Sequence, residues 1–189
     1  AGDCGTAICC SLENTSLSRA AKKKYRALSY AWGDANQPQY VIWINGIPVT
    51  VGLQLFGALL HIRRLNRVTS ARFWIDAICI QHNNLDEKRT QLPLMREIYS
   101  RVTDVWIWLG AATDHTDEAV SYIMQNSPCT LSSSADHLFE LAMALLSIIC
   151  RPWFSGLWVV QELALSRYDP LEIIGTKSIR WSSFARACE

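Results

Sequence analysis

Val105-Trp-Ile-Trp-Leu109, closed by Gly110, decides the fold of this chain. A strand with one face in water alternates apolar and polar residues, and this stretch does not alternate. It therefore reads as a strand buried on both faces, in a sheet with cover on two sides. Further strands are expected at Tyr25-Arg-Ala-Leu-Ser-Tyr30, at Phe73-Trp-Ile-Asp-Ala77 and at Leu171-Glu-Ile-Ile174. Helical stripes separate them. Leu55, Ala58, Leu59, Ile62 and Leu65 form one, and Gln91, Met95, Ile98 and Val102 a second. Asp117 to Gln125 is a third helix, and Leu138, Leu141, Ala142, Leu145 and Ile149 mark a fourth. Strands alternating with helices predict an α/β domain with a mostly parallel central sheet flanked by helices.

Local signals fill in the rest. Val41-Ile-Trp-Ile44, Asn45-Gly46 and Ile47-Pro-Val-Thr-Val51 predict a hairpin on an Asn-Gly turn, read as an antiparallel insertion in the main sheet. Ala7 to Leu12 is a short strand, and polar Asn14 to Lys24 is read as a loop. Asn84 with Glu87 resembles a capping box, and Pro93 predicts a kink or a late helix start. Cys129 to Ser134 reads as a small-polar loop, and Lys177 to Glu189 as a continuation of the fold or the start of a further region.

At 189 residues, half of them hydrophobic and 19% charged, the chain has the composition of one folded domain. A net charge of +1 gives no electrostatic case for nucleic acid or for an anionic membrane surface. The apolar runs are short of a membrane span, and no signal peptide is visible at Ala1. Seven cysteines without a CxxC pair signal neither a zinc site nor a disulfide framework, and fit a reducing, cytoplasmic setting. No metal site is expected, His82 included. Eight tryptophans are many for this length; several must be core, and an excess also fits a binding cleft or an interaction surface.

Candidate site residues come from two places. In α/β sheets ligands sit beyond the carboxyl ends of the strands. Ser29-Tyr-Ala-Trp-Gly33 and Asp76 lie at such ends. In Arg151-Pro-Trp-Phe-Ser-Gly-Leu-Trp-Val-Val-Gln-Glu162, a helix over 157–166 puts Trp158 and Glu162 on one face. A carboxylate beside indole planes suits a flat, cationic ligand. Plainer readings stand beside these. Gly33 supplies a positive-φ turn, Trp32 and Trp153 anchor the core, and Asp76 caps a helix or pairs with an arginine such as Arg151. Cys79 is a small buried hydrophobe, with a Cys79/His82 nucleophile as its rival reading. No GxGxxG or P-loop is present in the sequence.

The order of motifs resembles the fungal heterokaryon incompatibility (HET) domain. They are Ala27-Leu-Ser-Tyr-Ala-Trp-Gly33, Trp74-Ile-Asp-Ala-Ile-Cys-Ile80, Met95-Arg-Glu-Ile-Tyr99, Trp106-Ile-Trp-Leu-Gly110, Arg151-Pro-Trp-Phe154 and Trp158-Val-Val-Gln-Glu162. The resemblance covers roughly residues 7–166 of a single domain over 1–189, with 167–189 as a C-terminal extension of the same fold. Such domains trigger programmed cell death when incompatible fungal individuals fuse. They are in turn similar to Toll/interleukin-1 receptor (TIR) domains, which are flavodoxin-like and often hydrolyse NAD. Leu28-Ser29-Tyr30 resembles the opening TIR strand motif, and Trp158-Val-Val-Gln-Glu162 resembles the Trp-x-x-x-Glu helix that carries the TIR catalytic glutamate. Three features depart from these patterns: Gln81-His82 where HET domains usually show Asn-Gln, Pro93, and a longer insert over 115–150 than TIR domains carry.

The resemblance implies Glu162 as the catalytic residue of an NAD glycohydrolase, with NAD as substrate and no cofactor. Ser29, Tyr30, Trp32, Gly33, Asp76 and Trp158 are then the substrate contacts. Trp32 or Trp158 would stack on a ring, and Ser29 with backbone donors near Gly33 would hold phosphate oxygens. Self-association and an upstream sensor are implied partners. The alternative is a non-enzymatic module that triggers death through partners or oligomers.

Overall fold

The computed structural model describes residues 7–34, 36–66, 71–125, 135–156 and 159–188, and is α/β. Trp158 and the loop expected at Cys129–Ser134 lie outside the described residues. Two sheets are present among them. The main one uses β2 (Arg26–Tyr30), β5 (Phe73–Trp74), β6 (Asp104–Gly110), β7 (Leu171–Ile174) and β8 (Lys177–Arg180), in the order β5-β2-β6-β7-β8. Its first four strands are parallel, and β8 returns antiparallel to β7. The expected strands thus pair as one sheet. The tail continues the fold, through β8 and a closing helix α9 (Trp181–Ala187) whose Phe184 is buried.

The unbroken apolar run of β6 is explained by two cores. Val105, Ile107 and Leu109 face one way, against α5 (Met95–Arg101), α6 (Asp114–Gln125), α7 (Ala135–Ile149) and α9. Trp106 and Trp108 face the other way, against α2 (Leu53–Asn66) and the smaller sheet. Alternate residues of one strand therefore fill cores on opposite sides, as the pleat requires.

The hairpin is present, but not as an insertion in the main sheet. Strands β3 (Gln39–Ile44) and β4 (Ile47–Gly52) join β1 (Cys9–Cys10) in a separate three-stranded sheet, with β1 parallel to β3. Asn45 and Gly46 both have positive φ, 51° and 80°, as a two-residue turn between twisted strands demands. Ile42 and Val51 seal this sheet onto the core beneath α2.

The segment read as a loop at Asn14–Lys24 contains α1 (Leu17–Lys23). Its polar composition hides a short apolar edge, because Leu17 and Ala20 pack on the core. Lys22 and Lys23 occupy its last turn, where the helix dipole favours cations. Pro93 divides the next long helical rod. The rod runs as α4 (Leu85–Gln91), a 3-10 turn over Leu92–Leu94, and α5. Asn84 caps α4 by accepting from the backbone of Asp86 and Glu87 at 3.0 and 3.1 Å. The Glu87 carboxylate turns to the amide of Gln81, at 3.2 Å, instead of completing the box.

One core residue contradicts its chemistry. Glu172, in the middle of β7 between Ile107 and Ile179, is fully buried, and neither carboxyl oxygen has a hydrogen-bond partner. Burial, and then the charge of Asp169, push its pKa up to about 8. Glu172 is thus held as a neutral acid at neutral pH.

Candidate active site

The parallel strands β2 and β6 end side by side, and the strand order reverses between them. That is where open α/β sheets leave a crevice. A cleft of about 680 Å³ lies there. Its size falls within the usual range of small-molecule sites, about 300–1,000 Å³. Tyr30, Trp32 and Gly33 enter it from the end of β2, and Asp76 from the end of β5, at the first residue of α3 (Asp76–Cys79). Glu162 comes from α8 (Val159–Leu165).

Glu162 is held from both sides. Its Oε2 accepts from the Ser29 hydroxyl, and its Oε1 accepts from the Tyr99 hydroxyl at 2.7 Å. Ser29 in turn accepts from the Trp153 indole N–H at 2.6 Å. Arg151 fixes the turn carrying Trp153, donating to the carbonyls of Leu109 (3.2 Å) and Ala111 (2.8 Å) at the end of β6. The Glu162 pKa rises to about 6. Burial is the main cause, the bonds from Ser29 and Tyr99 oppose it, and the nearby charge of Asp76 adds to it. Glu162 is therefore mostly ionised at pH 7, yet poorly solvated.

Asp76 is shaped differently. Its carboxylate accepts from the Trp32 indole N–H at 2.8 Å and from the amide of Ala77 at 2.7 Å. Burial pushes its pKa up, and those bonds pull it back. The pairing with Arg151 considered from the sequence is not made, because Arg151 is spent on carbonyls. Tyr30 is pushed well above the ordinary tyrosine range by burial and by the charges of Asp76 and Glu162, so its phenol stays protonated.

The two tryptophans with open readings separate. Trp153 is 2% exposed and anchors the core, whereas Trp32 is 54% exposed over the cleft. Gly33, at φ +80°, does supply a turn and lines the cleft as well. Ser29 requires a correction. It is 1% exposed with its hydroxyl engaged by Glu162 and Trp153, so it supports the carboxylate and is sealed from any phosphate.

Sequence reasoning missed the place of three groups at the cleft. Tyr99 entered only as part of a motif, outside the stripe of Gln91, Met95, Ile98 and Val102. His82 stacks edge-on against Trp32 with ring centroids 4.6 Å apart, and its Nε2 lies 3.1 Å from the carbonyl oxygen of Asp76. Lys88, on α4, lines the cleft. Burial pushes the Cys79 thiol up, the reverse of what a nucleophilic cysteine needs. Among the described residues, no three His, Cys, Asp or Glu side chains are gathered to hold a metal. No helix among them is long and apolar enough to cross a membrane.

Residues 25–162 match the family described as heterokaryon incompatibility protein (HET). The chain is 32% identical, over 126 residues, to heterokaryon incompatibility protein 6, OR allele, of Neurospora crassa. That match covers 61% of this chain and 18% of the relative, so the chain spans less than a fifth of that curated protein. No solved structure matches it.

Proposed function

The chain belongs to the heterokaryon incompatibility (HET) family, and we propose that it acts there as a fungal cell-death effector, hydrolysing NAD to nicotinamide and ADP-ribose at a TIR-like site. The observation that carries this reading is Glu162: one ionised, half-buried carboxylate gripped by Ser29 and Tyr99 on a cleft flanked by Trp32 and Tyr30. The strand order supports the TIR-like part. Counting only the main sheet, it runs second, first, third, fourth, fifth, the flavodoxin-like order, with its last strand antiparallel.

The chemistry asks little of the protein. The bond between ribosyl C1′ and the nicotinamide nitrogen breaks, and its electron pair stays on nitrogen. The leaving group was cationic and departs neutral, so no general acid is required, unlike ordinary glycoside hydrolysis. The positive charge left on the ribosyl carbon is stabilised by the Glu162 carboxylate. The oxygen of a water then bonds to C1′, and its proton passes to Glu162 and on to solvent. A pKa of about 6 suits that second duty, since the carboxylate accepts a proton and releases it again near neutrality. Trp32 and Tyr30 offer aromatic faces to the cationic ring.

Purified protein incubated with NAD tests the proposal: nicotinamide and ADP-ribose should accumulate together. A second reading, a non-enzymatic module working by self-association, is favoured by one observation. Phe139, Met143, Leu146 and Ile149 form an exposed apolar stripe along α7, at helical spacing. Absence of nicotinamide release at any protein concentration would leave that reading in place of the enzyme.

A further inference from the structure

The cleft is lined by three carboxylates, Asp34, Asp76 and Glu162, and by one lysine, Lys88, among the described residues. Lys88 is half-buried. Its neighbours on α4 are committed elsewhere: Asp86 pairs with Arg89 at 3.7 Å, and Glu87 accepts from Gln81. Among the described residues no carboxylate comes within ion-pair distance of Lys88. A half-buried lysine on a concave wall, whose ammonium has no counter-ion of its own among the described residues, is arranged for an anion supplied by a ligand.

The helical rod places that ammonium relative to the chemistry. Lys88, Leu92, Met95 and Tyr99 succeed one another at spacings of four, three and four, which keeps them on one face. Backbone angles stay right-handed helical through Gln91, Leu92, Leu94 and Met95, so the 3-10 turn does not break the face. Tyr99 touches Glu162, and Lys88, Leu92 and Met95 line the cleft. At about 1.5 Å per residue, Lys88 stands roughly 16 Å along the rod from Tyr99, with Leu92 and Met95 as an apolar floor between.

We propose that Lys88 is the anion subsite of this cleft and takes the diphosphate of a dinucleotide whose ribosyl–nicotinamide bond lies at Glu162. The proposal rests on the NAD-cleaving reading of the same site and adds the side chain that holds the substrate's diphosphate. The diphosphate lies within that span of the reacting carbon. The cleft then sorts charge along its length, with carboxylates around the cationic ring and the ammonium at the anionic linker. Ser29, sealed behind Glu162, leaves this task open.

The test measures binding apart from turnover. ADP-ribose, which keeps the diphosphate and lacks the nicotinamide, is titrated calorimetrically into the parent, Lys88→Met and Lys88→Arg, with thermal melts to check folding. Lys88→Met should weaken ADP-ribose roughly tenfold or more, the usual scale for one charge-assisted hydrogen bond, and Lys88→Arg should recover most of it. In turnover, Lys88→Met should raise KM for NAD more than for nicotinamide riboside. Equal ADP-ribose affinity in parent and folded Lys88→Met, or no binding to the parent at millimolar ADP-ribose, overturns the subsite. If the parent binds ADP-ribose through Lys88 but releases no nicotinamide from NAD, the subsite stands and the hydrolase reading falls.

Discussion

Glu172→Met should stabilise this domain, and by an amount that grows with pH. In the folded chain the carboxyl has no partner and a pKa of about 8, against an ordinary value of 4.5. That gap of about 3.5 units corresponds to about 5 kcal/mol of pH-linked free energy, at about 1.4 kcal/mol per unit. The sign follows from which state holds the proton. The folded pKa is the raised one, so the contribution of Glu172 is fully present below pH 4.5. It is lost as pH rises, and the loss levels off above about pH 8. By linkage, about 3–4 kcal/mol disappears between pH 5 and pH 8. Methionine has similar length and no charge to desolvate, and should remove this dependence. Urea unfolding of parent and variant at several pH values measures it. Only the difference between them is used, because Glu162 and Asp76, whose pKa values are also raised, contribute equally to both curves. A difference that stays constant from pH 5 to pH 8 would refute the reasoning, and so would a variant less stable than the parent at pH 8.

Three further outcomes are expected. Glu162→Gln should fold normally and lose roughly 100-fold or more in NAD turnover, as expected for one preorganised electrostatic group; parent-like turnover in the folded variant rejects the assignment. Tyr99→Phe removes a bond that favours the ionised form of Glu162, so the acidic limb of kcat/KM, near pH 6 in the parent, should move upward. A hydrogen bond to a charged group is worth about 1.5–3 kcal/mol, or about one to two pH units; an unmoved limb counts against it. Specific activity should rise with protein concentration, and Met143→Asp on the exposed face of α7 should abolish that rise; a strictly monomeric parent of constant specific activity excludes it.

The parts legible in the sequence were those with strong local causes. The apolar run of β6 announced burial on both faces, and Asn45-Gly46 could only be a hairpin turn. Pro93 marked the break in the rod because it lacks an amide hydrogen. What escaped was long-range. Nothing in Cys9-Cys10 or Trp43 says that they pair in parallel, so the hairpin was placed in the wrong sheet. Helix α1 was hidden because Ser18, Arg19, Lys22 and Lys23 make the segment read as polar, while Leu17 and Ala20 suffice to seat it. At the site, strand-end position led to Tyr30, Trp32, Gly33 and Asp76, which line one cleft with Glu162. The task of Ser29 was misread, since a hydroxyl at a strand end looks the same whether it meets ligand or a buried carboxylate. Glu172 gave no sign, because a glutamate among aliphatics in a strand reads as its solvent face.

The grip on Glu162 also bears on how the protein is made. Ser29 leaves the ribosome well before its partners Trp153 and Glu162, which lie 124 and 133 residues further on. Synthesis at about 5–20 residues per second leaves many seconds in which the smaller sheet, β1-β3-β4, can form without them. A chain ending between Val159 and Glu162 carries the other cleft-lining residues and no gripped carboxylate. A product terminated before Glu162 then lacks the carboxylate that the proposed chemistry requires.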